Sequence, residues 1–416
     1  MKLTAEFTSS MTKLFPQSRW LLTGSLCLAL VLSTLPACQP PALESSVRLE
    51  CMQKMHVNFA PGANWDSLTA LDGWQRWDNG RVLTQSFAVP FYRVRPKITA
   101  EITLQSAGDP WDKSGSLMLL PEAASSLLDV GFTADTLSEF PGITLEQTGS
   151  STDYAPTLEL LRFITPFGVG HFSQVERIDE YRPVYIPRWE DSVHWESDIS
   201  HLWETLGDTM TLGVYLDTWT PEGYTLDVGV RFEAKPATVV TAPSLRTIAL
   251  VNTTKFGSEQ HHYDAFSRSA LTVPVTLNET AYNAALHYTV TGHGGHGEGD
   301  EFVPCEHQLT WNGDSCLTFT PWRDDCASFR RFNPSSGVWM DRTFWRGDSL
   351  DERIASSDLS RTGWCPGSQV DPLEIPLGDL PPGVHELSIA VPAAQPFSDS
   401  EMNFWNVAAY LTYEVH

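Results

Sequence analysis

Residues 211–232 read TLGVYLDTWTPEGYTLDVGVRF, and their pattern decides the fold. Leu212, Val214 and Leu216 alternate with Gly213, Tyr215 and Asp217. After Pro221-Glu222-Gly223 the alternation resumes at Leu226, Val228, Val230 and Phe232. Successive side chains of a strand point to opposite faces, so a period of two marks a strand with one apolar face. The Pro-Glu-Gly triplet is turn chemistry: proline presets φ, and glycine opens the positive-φ region. The stretch therefore predicts two strands joined as a hairpin. If the aliphatic side faces a core, Tyr215, Asp217 and Trp219 share the other face. An acid between two aromatics suits a sugar-binding ridge, and equally suits a strand face packed on a neighbour.

The same signature recurs along the chain. Residues 97–104 (KITAEITL) and 116–120 read as strands, followed by 271–277, 286–290, 308–311, 385–391 and 404–415. Asn312-Gly313 is a strong signal for a tight hairpin turn. Short helices are expected only near 122–128 and 198–206, and long helical periodicity is absent. An all-β fold of two jelly-roll (β-sandwich) domains fits better than α/β. A length of 416 residues also suggests two domains. We expect an N-terminal domain over 56–234 and a C-terminal domain over 235–416, with the junction at Lys235-Pro236-Ala237.

Asp plus Glu outnumber Lys plus Arg by 51 to 27, a net charge of −24 that argues against nucleic-acid partners. The 15 tryptophans are many for this length, and tryptophan stacks on sugar faces as well as filling cores. Residues 1–38 have the layout of an export signal: Lys2, Lys13 and Arg19, then an apolar run over 20–35. They end in Leu35-Pro36-Ala37-Cys38, which resembles a bacterial lipobox whose cysteine is lipidated; an ordinary signal peptide is the alternative. Met11 is a second candidate start. Gln39 after the cysteine favours the outer membrane, and residues 39–55 read as a tether. The expected mature protein is a monomer of the bacterial cell envelope, held at the membrane only through its N-terminal lipid. Beyond Cys38 the cysteines are Cys51, Cys305, Cys316, Cys326 and Cys365, an odd number with no CxxC, so structural use is favoured and at least one thiol stays unpaired within the chain.

Four segments could carry chemistry. They are GDPWDK at 108–113, LRFITPFGVG at 161–170, TGHGGHGEGDEFVPCEHQ at 291–308 and RTGWCPG at 361–367. The third offers His293, His296, Glu298, Asp300 and His307 as metal ligands, as in a copper-dependent two-jelly-roll oxygenase. Its glycine-rich HxxH lacks the helical frame that aligns two histidines on one face, and no further histidine motif completes it.

Taken together, these segments resemble the peptide-N-glycosidase F family. They share its W-D turn (Trp111-Asp112), its R-F-I-T-P stretch (Arg162 to Gly170) and its Y-x-[ED]-T-W strand (Tyr215 to Trp219). They also share its G-x-G loop (Gly292-His293-Gly294), Glu301-Phe302 with His307, Asn312-Gly313, and R-x-G-W-C-P-G (Arg361 to Gly367). The resemblance runs from about His56 to the C-terminus. It implies two jelly rolls packed side by side, with a groove between them that hydrolyses the amide linking an N-glycan to asparagine. The peptide keeps Asp, and no cofactor or metal is needed. N-glycosylated peptides or glycoproteins would be the substrates.

By the same resemblance Asp112 activates the attacking water, Glu301 is the second essential acid, and Asp217 is a third carboxylate. Trp219, Arg361, Lys113, His293, His296, Trp111 and Trp364 would line the sugar groove. Cys326 and Cys365 match a disulfide around a long insertion over 338–360, while Cys305 with Cys316 is only weakly argued. The pattern also departs from the family's best-known member. Asp217 stands where that member has Glu, Lys113 where it has arginine, and His293 where it has tryptophan. Ser106, Pro110 and Val303 stand in or near its cysteine positions. The altered pocket leaves a glycan-binding lipoprotein without catalysis as one alternative. An endoglycosidase using paired carboxylates is another.

Overall fold

The computed structural model describes residues 45–64, 72–120, 156–173, 186–234, 243–254, 265–295, 298–336, 338–398 and 400–416. The expected signal and lipobox, the helix anticipated near 122–128, the junction at 235–237 and His296 lie outside them. Where described, the chain has a few short helical turns, and its regular elements are mostly strands. Nine form the first half: β1 (Val47–Val57), β2 (Gln75–Trp77), β3 (Val82–Ala88), β4 (Lys97–Ser106), β5 (Ser114–Leu120), β6 (Leu158–Ile164), β7 (Val193–Asp198), β8 (Thr209–Leu216) and β9 (Tyr224–Glu233). They make a sheet of order β1-β9-β4-β7 and a second of order β6-β5-β8-β3-β2. One apolar cluster drawn from both sheets fills the space between them.

The stretch 211–232 folds as two strands, but not as a hairpin. β8 pairs with β3 and β5, whereas β9 pairs with β1 and β4 in the opposite sheet. The reason lies in the alternation itself. Leu212, Val214, Leu216, Leu226, Val228, Val230 and Phe232 are all fully buried in one core. Two apolar faces that meet across a sandwich bury what a side-by-side pair would leave for a third element to cover. Each such side chain contributes about 1.5–3 kcal/mol when buried. Residues 217–223 therefore arch over the sandwich rim. Gly223 is required there: its φ is +55°, and a Cβ would come within 2.1 Å of the Val57 carbonyl. β1 begins at Val47, ahead of the expected domain start at His56. Residues 47–55, read as tether, are thus a strand paired to β9, with register shifts at Met52 and Met55 that blur its alternation.

The second half contains β10 (Ser244–Asn252), β11 (Leu271–Leu277), β12 (Ala281–His293), β13 (His307–Trp311), β14 (Asp314–Phe319), β15 (Trp322–Arg323), β16 (Val338–Trp345), β17 (Asp348–Ala355), β18 (Arg361–Thr362), β19 (Gln369–Val370), β20 (Leu373–Leu380), β21 (Gly383–Ala390) and β22 (Phe404–Val415). Sheets of order β10-β22-β12-β20 and β11-β21-β13-β14 enclose the second core. The two jelly-roll sandwiches confirm the expected fold class. Asn312 and Gly313, with φ of +54° and +86°, turn the β13–β14 hairpin as their sequence predicts. Residues 200–206 form the short helical turn expected near 198–206.

The halves interlock. β19 joins β6 at the edge of the first sandwich. The buried Arg162 pairs with Glu159 at 2.9 Å and donates to the Asn406 carbonyl at 2.6 Å and the Thr254 hydroxyl at 3.2 Å. Cys326 and Cys365 are disulfide-bonded, while Cys51, Cys305 and Cys316 remain thiols, so the Cys305–Cys316 pairing does not occur.

Candidate active site

The turn between β4 and β5 carries Asp112, and its backbone is heavily anchored. Asp109 is fully buried, accepting the Trp111 N–H at 3.0 Å and the Thr218 hydroxyl at 2.6 Å. The Trp111 carbonyl receives the hydroxyls of Tyr224 (2.5 Å) and Thr165 (3.1 Å), and the Lys113 N–H donates to Thr165 at 2.8 Å. The motif threonine Thr165 and the first residue of β9 thus hold the W-D turn from below. Trp111 itself is 55% exposed, so its ring is open to a ligand.

Asp217 follows β8 directly. Its N–H donates to the Ser114 carbonyl at 2.9 Å, which sets it beside the start of β5. The Trp219 indole N–H donates to its carboxylate at 3.1 Å, and Arg81 lies 3.4 Å away. Arg81, fully buried, is paired with Asp78 at 2.8 Å and sits 4.0 Å beneath the Trp219 ring, with Phe59 on the flank at 5.2 Å from that ring. A cation under one aromatic face stiffens the platform while the other face stays open: Trp219 is 45% exposed.

The loop after β12 carries Glu301. Gly294 turns it at φ +91°, where a Cβ would meet the Met402 carbonyl at 2.0 Å. The Glu301 N–H donates to the Gly294 carbonyl at 3.2 Å, and its own carbonyl accepts the Thr362 N–H at 2.9 Å. The neighbouring Asp300 is buried and takes the Gln395 N–H at 3.1 Å, so it serves the loop rather than the groove.

Arg361, on β18, joins the two acids. Only 2% exposed, it donates Nε–H to Glu301 at 2.9 Å and holds Nη2 3.6 Å from Asp112. Its Nη1 is spent on the Ser356 and Leu359 carbonyls at 2.7 and 3.0 Å, and its plane lies 4.9 Å from the Trp364 ring. Burial pushes the Glu301 carboxyl up to about 7, with Arg361 opposing the rise and Asp112 adding to it. The Asp112 carboxyl is also raised by burial, against the pull of Arg361 and Lys113. Two carboxyls sharing one guanidinium therefore share less than two full negative charges near neutrality.

The structure thus brings Asp112, Glu301 and Arg361 into one cluster, with Asp217 and Trp219 in an adjoining one. Other expected groove residues lie deeper. The His293 ring is buried, stacked between Trp364 (5.4 Å) and Phe404 (4.8 Å) and hydrogen-bonded with Thr291 at 2.7 Å. Trp364 is buried too, its N–H on the Gly292 carbonyl at 2.8 Å, so both act as backing to Arg361 rather than as open wall. His307 is a core residue hydrogen-bonded with Tyr288 at 2.9 Å. Among the described residues no three His, Cys, Asp or Glu side chains are grouped to hold a metal. Arg81, Asp78, Phe59 and Asp109 were not foreseen from sequence. Only the Asp109-Pro110 turn signal touched any of them, and a turn signal carries no hint of a buried carboxylate.

Family models for peptide-N-glycosidase F match both sandwiches: the N-terminal model over residues 48–232 and the C-terminal model over 262–412. Among solved structures, PNGF-II in two crystal forms superposes with TM-scores of 0.73 and 0.72 at 28% identity. The alignments cover 89% of this chain but 66% and 65% of theirs, so this chain spans about two thirds of the length of PNGF-II. PNGase F, a glycosylasparaginase from Flavobacterium meningosepticum, superposes with a TM-score of 0.55 at 14% identity, over 89% of this chain and 96% of that one. No curated protein matches in sequence. No described helix is long and apolar enough to cross a membrane.

Proposed function

This chain belongs to the peptide-N-glycosidase F family, and we propose from that premise that it hydrolyses the amide between the first sugar of an N-glycan and its asparagine. The observation that carries the reading is the Arg361 guanidinium set between Asp112 of one sandwich and Glu301 of the other. Two acids with raised carboxyls around one buried cation suit amide hydrolysis at neutral pH, where a base and an acid must coexist. Asp112, ionised, takes a proton from water as its oxygen attacks the side-chain carbonyl carbon. Glu301, protonated near its value of about 7, gives its proton to the glycosyl nitrogen as the C–N bond breaks. The peptide leaves with Asp and the glycan as a glycosylamine, which then loses ammonia to water. Arg361 offsets the charge that builds on the carbonyl oxygen, and passage of a proton from Asp112 to Glu301 through solvent returns both acids to their starting states.

The innermost sugar would stack on the open face of Trp219, its hydroxyls or acetamide within reach of Asp217. N-glycosylated peptides and glycoproteins are the substrates of this reading. Export and lipidation at Cys38 would place the enzyme in the cell envelope, facing glycoproteins outside. The test is to incubate the soluble form, from Gln39 onward, with an N-glycopeptide and weigh both products. Asn converted to Asp, with an intact glycan released, supports the amidase. A single sugar left on Asn would point to an endoglycosidase, and retention of glycan without turnover to a binding protein.

A further inference from the structure

Asp109 is fully buried in a turn whose sequence would normally leave such a residue in water. Burying a carboxylate is costly unless its oxygens are met by donors. An aspartate that only shapes its own turn needs one oxygen, on an N–H two residues ahead. Asp109 has that bond, to Trp111. Its second oxygen takes the Thr218 hydroxyl at 2.6 Å, from a residue more than a hundred positions away on the arch after β8. Turn formation does not require this bond. It ties the Asp112 turn to the arch at the residue between Asp217 and Trp219. Main-chain bonds run alongside it: the Asp109 and Ala107 N–H groups both donate to the Gly223 carbonyl, at 3.3 and 3.0 Å.

We infer that Asp109 is a positioning residue that, through Thr218, fixes the Asp112-bearing turn against the arch carrying Asp217 and Trp219. The inference rests on the amidase reading above. It gives the two halves of the cleft one shared strut: the water-activating acid on one side, the sugar platform on the other. The charge of Asp109 also reaches Asp112 and raises its carboxyl, opposing Arg361 and Lys113 and acting in the same direction as burial. A positioning residue of this kind acts through geometry and through field. A displacement of about 1 Å at a reacting group costs on the order of a hundredfold in rate.

Steady-state kinetics on an N-glycopeptide test it with three variants. Thr218→Val removes the hydroxyl and keeps the shape, and should lower kcat/KM by ~10–100-fold. Thr218→Ser restores the hydroxyl and should recover activity to within a few-fold of wild type. Asp109→Asn keeps an acceptor for the Trp111 N–H and places an amide N–H that can donate to the Thr218 hydroxyl, but removes the charge, and should move the acid limb of the pH profile to lower pH, because Asp112 then loses its proton more easily. A merely structural role would lower the amount of folded enzyme without moving that limb. An unaltered Thr218→Val enzyme, a Thr218→Ser enzyme as poor as Thr218→Val, or an unmoved limb in Asp109→Asn overturns the inference. If wild type itself leaves the glycopeptide intact, the amidase reading fails, and the positioning role falls with it.

Discussion

Arg361 donates its Nε–H to Glu301 at 2.9 Å, yet burial still lifts that carboxyl to about 7. The pair is thus balanced rather than locked: the guanidinium favours the carboxylate, and desolvation with the nearby Asp112 favours the acid. A group poised there can donate a proton at neutral pH and regain it. If Glu301 is the proton donor, kcat should decline as pH rises above about 7, as its protonated fraction falls. The Glu301→Gln variant should lose on the order of a hundredfold or more in kcat and lose that alkaline limb. A limb that persists in the variant would assign it to another group.

Asp112→Asn removes the carboxylate proposed to activate water and should reduce kcat by about 10²–10⁴-fold. Its Tm at neutral pH should be equal to or above that of wild type, because burial disfavours the Asp112 charge in the folded state. Near-normal turnover in this variant would reassign the base, and a large fall in Tm would make the loss structural.

Arg361→Met leaves Asp112 and Glu301 without their shared cation and strands the Ser356 and Leu359 carbonyls. Removing one partner of a buried ion pair costs about 3–5 kcal/mol, so denaturant midpoints should fall markedly. Arg361→Lys keeps a charge but not the planar fork that serves four acceptors, and should also lose most activity. Full activity in the lysine variant would contradict the bridging role.

Trp219→Ala removes the exposed ring above Arg81 and should weaken substrate binding more than the chemical step. Ring stacking is worth about 0.5–1.5 kcal/mol, so KM should rise by roughly 2–10-fold with a smaller change in kcat. An unchanged KM for a glycopeptide would remove Trp219 from the sugar platform.

Stability should fall on acidification. Burial lowers His201 and His287 to about 4, and His293 and His307 to about 3, from 6.5. Below 6.5 the unfolded chain binds more protons than the folded one, so their contribution is present above that pH and is lost as pH falls toward 3–4. Glu301, raised to about 7, and Asp300, raised to about 6, act in the opposite sense, losing stability as pH rises toward those values. Four histidines outweigh these two acids together with Asp112, whose carboxyl burial also raises. Tm should therefore be lower at pH 4.5 than at pH 7, and a Tm that is equal or higher at pH 4.5 would contradict the buried neutral histidines.

Much of this was legible in the chain because alternation reports which side chains face a core. Leu212 to Phe232 announced two strands and their inward faces. What alternation cannot report is which strand lies alongside: β8 and β9 face one another across the core instead of pairing, because either arrangement satisfies the same period. Val47 to Met55 hid as a tether because the bulges in β1 break its period. In the cleft, Asp112, Glu301 and Arg361 were marked by their motifs, and the fold brings them together. His293 was marked equally well and is buried, because a ring one residue from a glycine turn can point into the packing as readily as out of it. Arg81 had no signal and Asp109 only that of a turn, since composition gives no sign that a charged residue is buried.

The most direct test of the paired-acid account is hydrolysis of a defined N-glycopeptide in water enriched in oxygen-18, followed by mass spectrometry of the peptide, with wild type and Asp112→Asn compared. The account predicts Asp in place of glycosylated Asn, one heavy oxygen in its new carboxyl group, an intact released glycan, and loss of the reaction in the variant. Heavy oxygen found in the glycan with a sugar left on Asn, or equal conversion by the variant, would contradict it.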